Sequence, residues 1–448
     1  MNNIEVLLER FSNNQDLVCV IHNDNSVTFG QMLVDIKKVS LDLEALGVSK
    51  GDRVLVECDF SAKVISSFIS LLKIGCILIP LSRNSIIERD SLIAISGCEW
   101  IISFDNTNSN YELNKIDNTI GKNILIRDVI DVNHAGLVLF SSGSTGKPKG
   151  MVYDFEKISS KFIQPRKSLR SIPFLMIDHF GGINTIFSIL CSLGTVITVD
   201  DRSVDAICRA IEKFKIELLP TTPSFLNLML LSKAIDRYDL SSLVKISYGT
   251  EVMLESTLAA IKKKLPDVIY QQTYGLSEVG VLRTKSRDDG SLWMRIGGEG
   301  FETKVIDNVL WIKSDYGMEG YINAGDKTVD GWFCTQDVVE VDNDYFKILG
   351  RETDLINVAG QKVYPSEIED VLITLDNVQD VAVYGEPHAV LGSIVVAKFN
   401  LIKEESQISL KSRSRKFCKD RLQSFKIPIK YLIVDYPLHS SRQKKLRK

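Results

Sequence analysis

The chain has 448 residues, 44% of them hydrophobic, which is enough apolar material for a substantial core and a length that favours two or more domains. A formal net charge of −3 excludes a surface-wide field that would gather nucleic acid or anionic lipid, so either role would need a local patch. The eight cysteines are widely spaced, with no CxxC or Cys/His cluster, and read as small buried hydrophobes of a reducing compartment.

The opening stretch carries acidic residues and no cationic start before an apolar core, so a secretory signal is not expected and a cytoplasmic location follows. The longest apolar run, Val64 to Leu81, is interrupted by Lys73, Gly75 and Pro80; it suits a helix followed by a buried strand and not a membrane span. Between 53 and 140, β-rich runs (RVLVE, CILIPL, WIISF, ILIRDVI, LVLF) alternate with amphipathic stretches such as SAKVISSFISLLK, the pattern of parallel strands joined by helices. The alternation returns at GTVITV, DAICRAIEKFK, VKISYGT, ESTLAAIKKKL and DVIYQQTYG, which predicts a second α/β layer. After about residue 285 short strands punctuated by Gly, Asn and Asp predict a small antiparallel, barrel-like region. A new unit starts at Pro365. There Ser366 and Glu369 have capping-box spacing, and Ile368, Val371, Leu372 and Leu375 mark one helical face. The expected fold class is α/β, with an N-terminal domain over 1–350 and a small α+β C-terminal domain over 351–448, joined by a short hinge.

Chemistry is concentrated first at Ser141-Ser142-Gly143-Ser144-Thr145-Gly146-Lys147-Pro148-Lys149-Gly150, directly after the apolar run LVLF. Small residues let backbone N–H groups approach phosphate oxygens, the hydroxyls add donors and two lysines add charge, so the composition is that of a polyphosphate cradle. It is not a Walker A loop: Gly143 and Gly146 stand three apart, and Pro148 follows Lys147 where Ser or Thr is needed.

SSGSTGKPKG resembles the phosphate loop of the adenylate-forming superfamily of acyl- and aryl-CoA synthetases, peptide-synthetase adenylation domains and luciferase, and further similar segments follow in the family's order. PFLMIDHFGGINT resembles the acyl-pocket segment, with His179 placed like a gate and Phe180 and Gly181 beside it. Tyr248-Gly249-Thr250-Glu251 and Tyr274-Gly275-Leu276-Ser277-Glu278 are similar to the segments that sandwich adenine, with Tyr248, Gly249 and Gly275 also facing the acyl group. The resemblance puts Ser277 in a hydroxyl position and makes Glu278 the metal-side carboxylate, with ATP and Mg2+ as cofactors. Asp337, in GWFCTQD, corresponds to the residue that chelates both ribose hydroxyls, and Arg351 can reach ribose or phosphate. The hinge position holds Thr353 where Asp or Lys is usual. Ala359 and Gly360 correspond to the thiol tunnel, and Lys444 to the lysine that contacts substrate carboxylate and α-phosphate, with Lys445 as the substitute because the segment is irregular.

The activity so implied is conversion of a non-amino carboxylic acid, aryl or fatty, to acyl-AMP and then transfer to a thiol of coenzyme A or an acyl carrier protein. Neither nucleic acid nor a membrane is an expected partner. Two alternatives stay open: a nucleotide-binding pseudoenzyme, and an enzyme that stops at acyl-AMP or delivers it to an amine.

Overall fold

The strand Arg53–Cys58 and its neighbour Ile77–Ser82 are almost wholly buried, which is why both read as unbroken apolar runs: a parallel sheet covered on both faces has no solvent side to alternate with. In the computed structural model, which describes residues 2–22, 24–83, 89–117, 121, 123–142, 147–325, 327–439 and 445–447, these strands lie at the centre of a seven-stranded sheet. Its order is Gly320–Tyr321, Pro148–Asp154, Gly136–Ser142, Ile77–Ser82, Arg53–Cys58, Trp100–Phe104 and Tyr111–Lys115. The connecting helix Ala62–Ile74 starts where the Ser61 hydroxyl accepts the Val64 N–H at 3.1 Å and stops at Gly75, whose φ of 91° few other residues adopt easily.

A second seven-stranded sheet runs Ile269–Gln272, Lys245–Tyr248, Leu218–Thr221, Arg170–Ser171, Thr195–Thr198, Val18–His22 and Asn25–Thr28. The predicted second α/β layer is therefore present. A third sheet, antiparallel throughout, is built from Arg283–Ser286, Met294–Gly297, Phe301–Ile306, Val309–Ser314, Thr328–Val329, Trp332–Asp342 and Tyr345–Arg351. Beyond it, Ile356–Val358, Gln361–Val363, Val378–His388, Gly392–Leu401 and Lys430–Ile433 form a separate five-stranded sheet with its own apolar core of Ile368, Leu372, Val381, Val383, Phe399 and neighbours.

Two local expectations are corrected. ILIRDVI is not a strand: Ile124–Asp131 is a helix whose N-cap Asn123 accepts the Leu125 N–H at 2.9 Å and whose inner face is Ile126 and Val129. Three-residue spacing of the buried side chains suits a helix and would split them between the faces of a strand. The capping box at Ser366 does not form either, because the helix Pro365–Leu372 takes Tyr364 as its N-cap and encloses Ser366, whose hydroxyl donates to the Leu349 carbonyl at 2.8 Å. Glu369 is thereby released for a different task. The predicted apolar face holds, with Ile368 and Leu372 fully buried and Leu375 nearly so.

Candidate active site

A cavity of about 400 Å³ opens between the antiparallel sheet, the edge of the second sheet and the C-terminal unit. Asp337 lies in its wall. The residue follows Gln336, which holds φ at 61°, and its own N–H donates to the Thr335 hydroxyl at 3.0 Å. Its carboxylate accepts the Tyr274 hydroxyl at 2.5 Å and faces Arg351 across the strand pair at 3.5 Å. Burial raises the Asp337 pKa above the ordinary carboxylate value, and the Arg351 charge and Tyr274 hydroxyl offset that only in part. Two further hydroxyl donors from a ligand would complete what those neighbours begin. Tyr274 is itself pushed well up, by burial first and by Asp337 next, so it stays a phenol able to donate.

Thr250, Glu251, Gly275, Arg351 and Thr353 line the same cavity. Thr250 adopts φ 71°, which turns the chain from the strand Lys245–Tyr248 towards the helix Pro223–Leu231. Glu251 there accepts the N–H of Ser224 at 3.3 Å and the Ser224 hydroxyl, two donors at the start of that helix.

Glu278 stands at the other side of the turn after Tyr274, where the Tyr321 hydroxyl donates to it at 2.8 Å. Lys149 lies over the Tyr321 ring, 5.8 Å from its centroid. The strands Gly136–Ser142 and Pro148–Asp154 pair so that Ser142 faces Pro148, and Asn323 clamps the second strand by accepting from the Gly150 N–H at 3.0 Å and donating to the Pro148 carbonyl at 2.8 Å. The expected phosphate-loop lysine and the expected metal-side carboxylate therefore share one aromatic ring. Gly143, Ser144, Thr145, Gly146 and the Ser142 side chain lie outside the described residues, and Lys147 is exposed. Among the described residues no cluster of three His, Cys, Asp or Glu side chains could hold an ion by itself. One carboxylate is nevertheless what a divalent ion carried in on phosphates asks of a protein.

The segment expected to form the acyl pocket shows several structural tasks. His179 is the N-cap of the helix Phe180–Cys191, its ring accepting the Gly181 N–H at 3.0 Å. Asp178 is buried and accepts the Ser82 hydroxyl at 2.8 Å. Phe180 packs on Tyr153, whose hydroxyl donates to the Ser277 carbonyl at 2.7 Å, so this helix is joined to the Ser277–Glu278 turn. A Cβ on Gly249 would come within 2.4 Å of the Thr273 hydroxyl, and Tyr248 is buried in the core of the second sheet, away from the cavity lining. Ala359 and Gly360 sit exposed at the tip of the hairpin Ile356–Val358/Gln361–Val363, also away from the cavity in this arrangement.

At the chain end, Lys445, the substitute for the carboxylate-contacting lysine, is engaged within the protein. Lys445 pairs with Asp380 at 2.9 Å and gives its N–H to Glu251 at 2.8 Å. Arg447 takes Glu369 in two bonds of 3.0 Å each and Asp354 in one of 3.1 Å. Burial would raise the Glu369 pKa, but Arg447 and Lys445 outweigh it and hold the group below its ordinary value. Lys444 lies outside the described residues. Tyr321, Asn323 and Asp380 had no signal in the sequence, and the spacing of Glu369 pointed to a cap, since each acts through a partner far along the chain.

The sequence profile of the AMP-binding enzyme family matches residues 7–321, and that of the AMP-binding enzyme C-terminal domain matches residues 367–445. The chain belongs to the AMP-binding enzyme family. Among the family's relatives, a 2-succinylbenzoate–CoA ligase of Bacillus licheniformis is 23% identical, with 98% of each chain covered. The anthranilate CoA ligase AuaEII, solved with anthranoyl-AMP, superposes with a TM-score of 0.81 at 21% identity, over 100% of this chain and 96% of that one. The amide bond synthetase McbA of Marinactinospora thermotolerans superposes at 0.76 with 18% identity, over 99% and 98%. The large N-terminal part, antiparallel sheet and small C-terminal part are the architecture of this AMP-binding family. No helix among the described residues is long and apolar enough to cross a membrane.

Proposed function

We propose that this AMP-binding enzyme activates a non-amino carboxylic acid with ATP, releasing pyrophosphate, and passes the acyl group to the thiol of coenzyme A or of a carrier-protein phosphopantetheine. The observation that carries this reading is the buried Asp337 carboxylate, held by Tyr274 and Arg351 in a cavity partly lined by Lys445 and Arg447 of the C-terminal tail. A carboxylate with two free lone-pair directions suits the paired hydroxyls of a ribose. Glu278, steadied by Tyr321, is the group that would hold Mg2+, and the ion would supply charge neutralisation between the phosphates and the incoming carboxylate.

The remaining roles belong to this chain's own side chains. Lys147 and Lys149, with the hydroxyls and amides of residues 142–146, bind the β- and γ-phosphates. Arg351 backs the ribose. Lys444 meets the substrate carboxylate and α-phosphate, an assignment favoured because the Lys445 ammonium is committed to Asp380. Asp178, which would serve an amino-acid substrate best, is tied to Ser82 instead. The chain then works as two units, 1–350 and 351–448, turning about Thr353 so that Ala359 and Gly360, exposed here, come to line the path of the thiol.

The test is pyrophosphate release from ATP over aryl, short-chain and long-chain acids, with and without coenzyme A. Acid-dependent release with thioester formed on adding coenzyme A is expected. Nucleotide binding without acid-dependent release would overturn the reading in favour of a non-catalytic binder, and an acyl-amide in place of the thioester would move the acceptor to an amine.

A further inference from the structure

Lys161 follows the short helix Phe155–Ser160 and turns its ammonium inwards. The nitrogen is buried and has no hydrogen-bond partner among the described residues. It lies 5.0 Å from the centre of the Phe162 ring and 5.3 Å from that of Phe180. Burial lowers its pKa to about 7, and the charges that act on it, Arg166 and then Arg283, are both positive and lower it further. Among the described residues, the acid partner of Arg283 is the strongly exposed Glu299, 3.8 Å away. Aromatic faces offset part of the cost of burying a cation, but they leave three N–H donors unmet and do nothing for the mutual repulsion of three cations. A protein core seldom keeps such a group unless something outside the chain completes it.

Its position says what that something is. The Phe180 ring that Lys161 overlies packs against Tyr153, and Tyr153 donates to the Ser277 carbonyl beside Glu278. A Cβ on Gly280, just past that turn, would lie 3.4 Å from the Phe180 ring. The ammonium is thus one aromatic ring away from the turn at which the acid is activated. An acid whose reacting carboxyl sits by that turn, with its body along Phe180, extends its far end towards Lys161.

We propose that Lys161, backed by Arg166 and Arg283, is a receptor for a second carboxylate at the far end of the acid, so that the substrate is a dicarboxylic acid. The inference rests on the acid-activating reading above and narrows it. A carboxylate there accepts from the ammonium, offsets the guanidinium charges and is excluded from water by the two phenylalanines, where a charge-assisted hydrogen bond is strongest. The same arrangement rejects an uncharged tail, which would leave the buried cation unsatisfied.

The experiment uses the full chain and acid-dependent ATP–pyrophosphate exchange. Aryl and alkyl dicarboxylic acids of graded length are compared with their monomethyl esters at the far carboxyl. Wild type, Lys161→Met, Lys161→Gln and Lys161→Arg are measured side by side, each checked for folding by its thermal transition. Wild type is expected to favour the best diacid over its monoester by about 10- to 100-fold in kcat/KM, expressed in KM. The two neutral variants should lose that preference, and Lys161→Arg should recover part of it. A preference for the monoester in wild type, or an unchanged diacid preference in both neutral variants, overturns the inference and leaves acid activation standing. Absence of exchange with every acid, mono- and dicarboxylic alike, overturns the acid-activating reading and this inference with it.

Discussion

Asp337 shows how much one carboxylate can depend on its setting. Its charge is stabilised by a phenol and a partly distant guanidinium against the cost of burial. Asp337→Asn keeps the shape but exchanges an acceptor-only group for one that also donates. The expected result is a KM for ATP raised about 10- to 100-fold with little change in folding, read from pyrophosphate exchange; an unaltered KM would remove Asp337 from the ribose site. Lys444→Ala is expected to lower adenylation by about 10²- to 10³-fold, while thioester formation from supplied acyl-AMP suffers less. Equal loss in both half-reactions counts against its assignment. Lys161 provides a test by pH alone. Its folded pKa is about 7, below the ordinary lysine value of 10.5, so between those values the unfolded chain binds more protons and stability rises with pH. Below the folded value the ammonium is charged in both states and its burial penalty is in full force. The stability advantage of Lys161→Met over wild type, measured by denaturant unfolding without ligand, should therefore shrink from pH 7 to pH 10; a pH-independent difference would mean that the amine is not desolvated.

At the level of elements, close approach matters more than propensity. The helix Phe180–Cys191 starts so near the preceding turn that a Cβ on Gly182 would stand 2.1 Å from the Met176 carbonyl oxygen, a backbone atom that cannot swing aside. Gly182→Ala is expected to cost about 1–3 kcal/mol in chemical denaturation. It should also weaken acid binding, since this helix carries Phe180; a wild-type transition and wild-type KM would show that the turn yields freely. The strands and helices around this point were legible because their apolar residues follow the period of two, or of three to four, that one buried face imposes. ILIRDVI was misread because a short run of branched residues satisfies either pattern, and the Asn123 cap that decides it lies outside the run. Ser366 and Glu369 had the right spacing for a cap, but Pro365 started the helix two residues earlier than that spacing supposes.

Across the whole molecule, the polar contacts between the two parts among the described residues include the Ser366 hydroxyl on the Leu349 carbonyl and three others. Ser256 donates to Asp370, with the N–H at 3.0 Å, Asn227 reaches the Gln379 carbonyl at 3.5 Å, and Lys445 gives its N–H to Glu251 at 2.8 Å. An interface of this kind suits parts that separate and re-dock. The tail is fastened within the C-terminal part by Arg447, which ties Glu369 to Asp354 next to Thr353, the proposed hinge. Arg447→Ala leaves the nearly inaccessible Glu369 carboxylate short of its main partner, a loss of about 3–5 kcal/mol when a buried pair is broken. The expected signs are a lower thermal midpoint for the C-terminal part, faster proteolysis near residues 351–354 and a slower adenylation step. If cleavage and adenylation match wild type, the tail does not hold this arrangement.

Local order along the chain determined the class of fold and the family resemblance, and it supplied the proposed division near residue 350 and the proposed nucleotide-binding stretches, since periodicity, turn residues and a glycine-rich loop are properties of contiguous segments. Which side chains serve one another was decided in three dimensions: Tyr321 for Glu278, Tyr274 for Asp337, Arg447 for Glu369, and an ammonium at Lys161 among aromatic rings with two cations nearby. These pairings join residues between roughly 40 and 80 positions apart in three of the cases. No spacing rule reaches that far, because burial and electrostatic partnership arise only when separate elements pack and water is displaced between them.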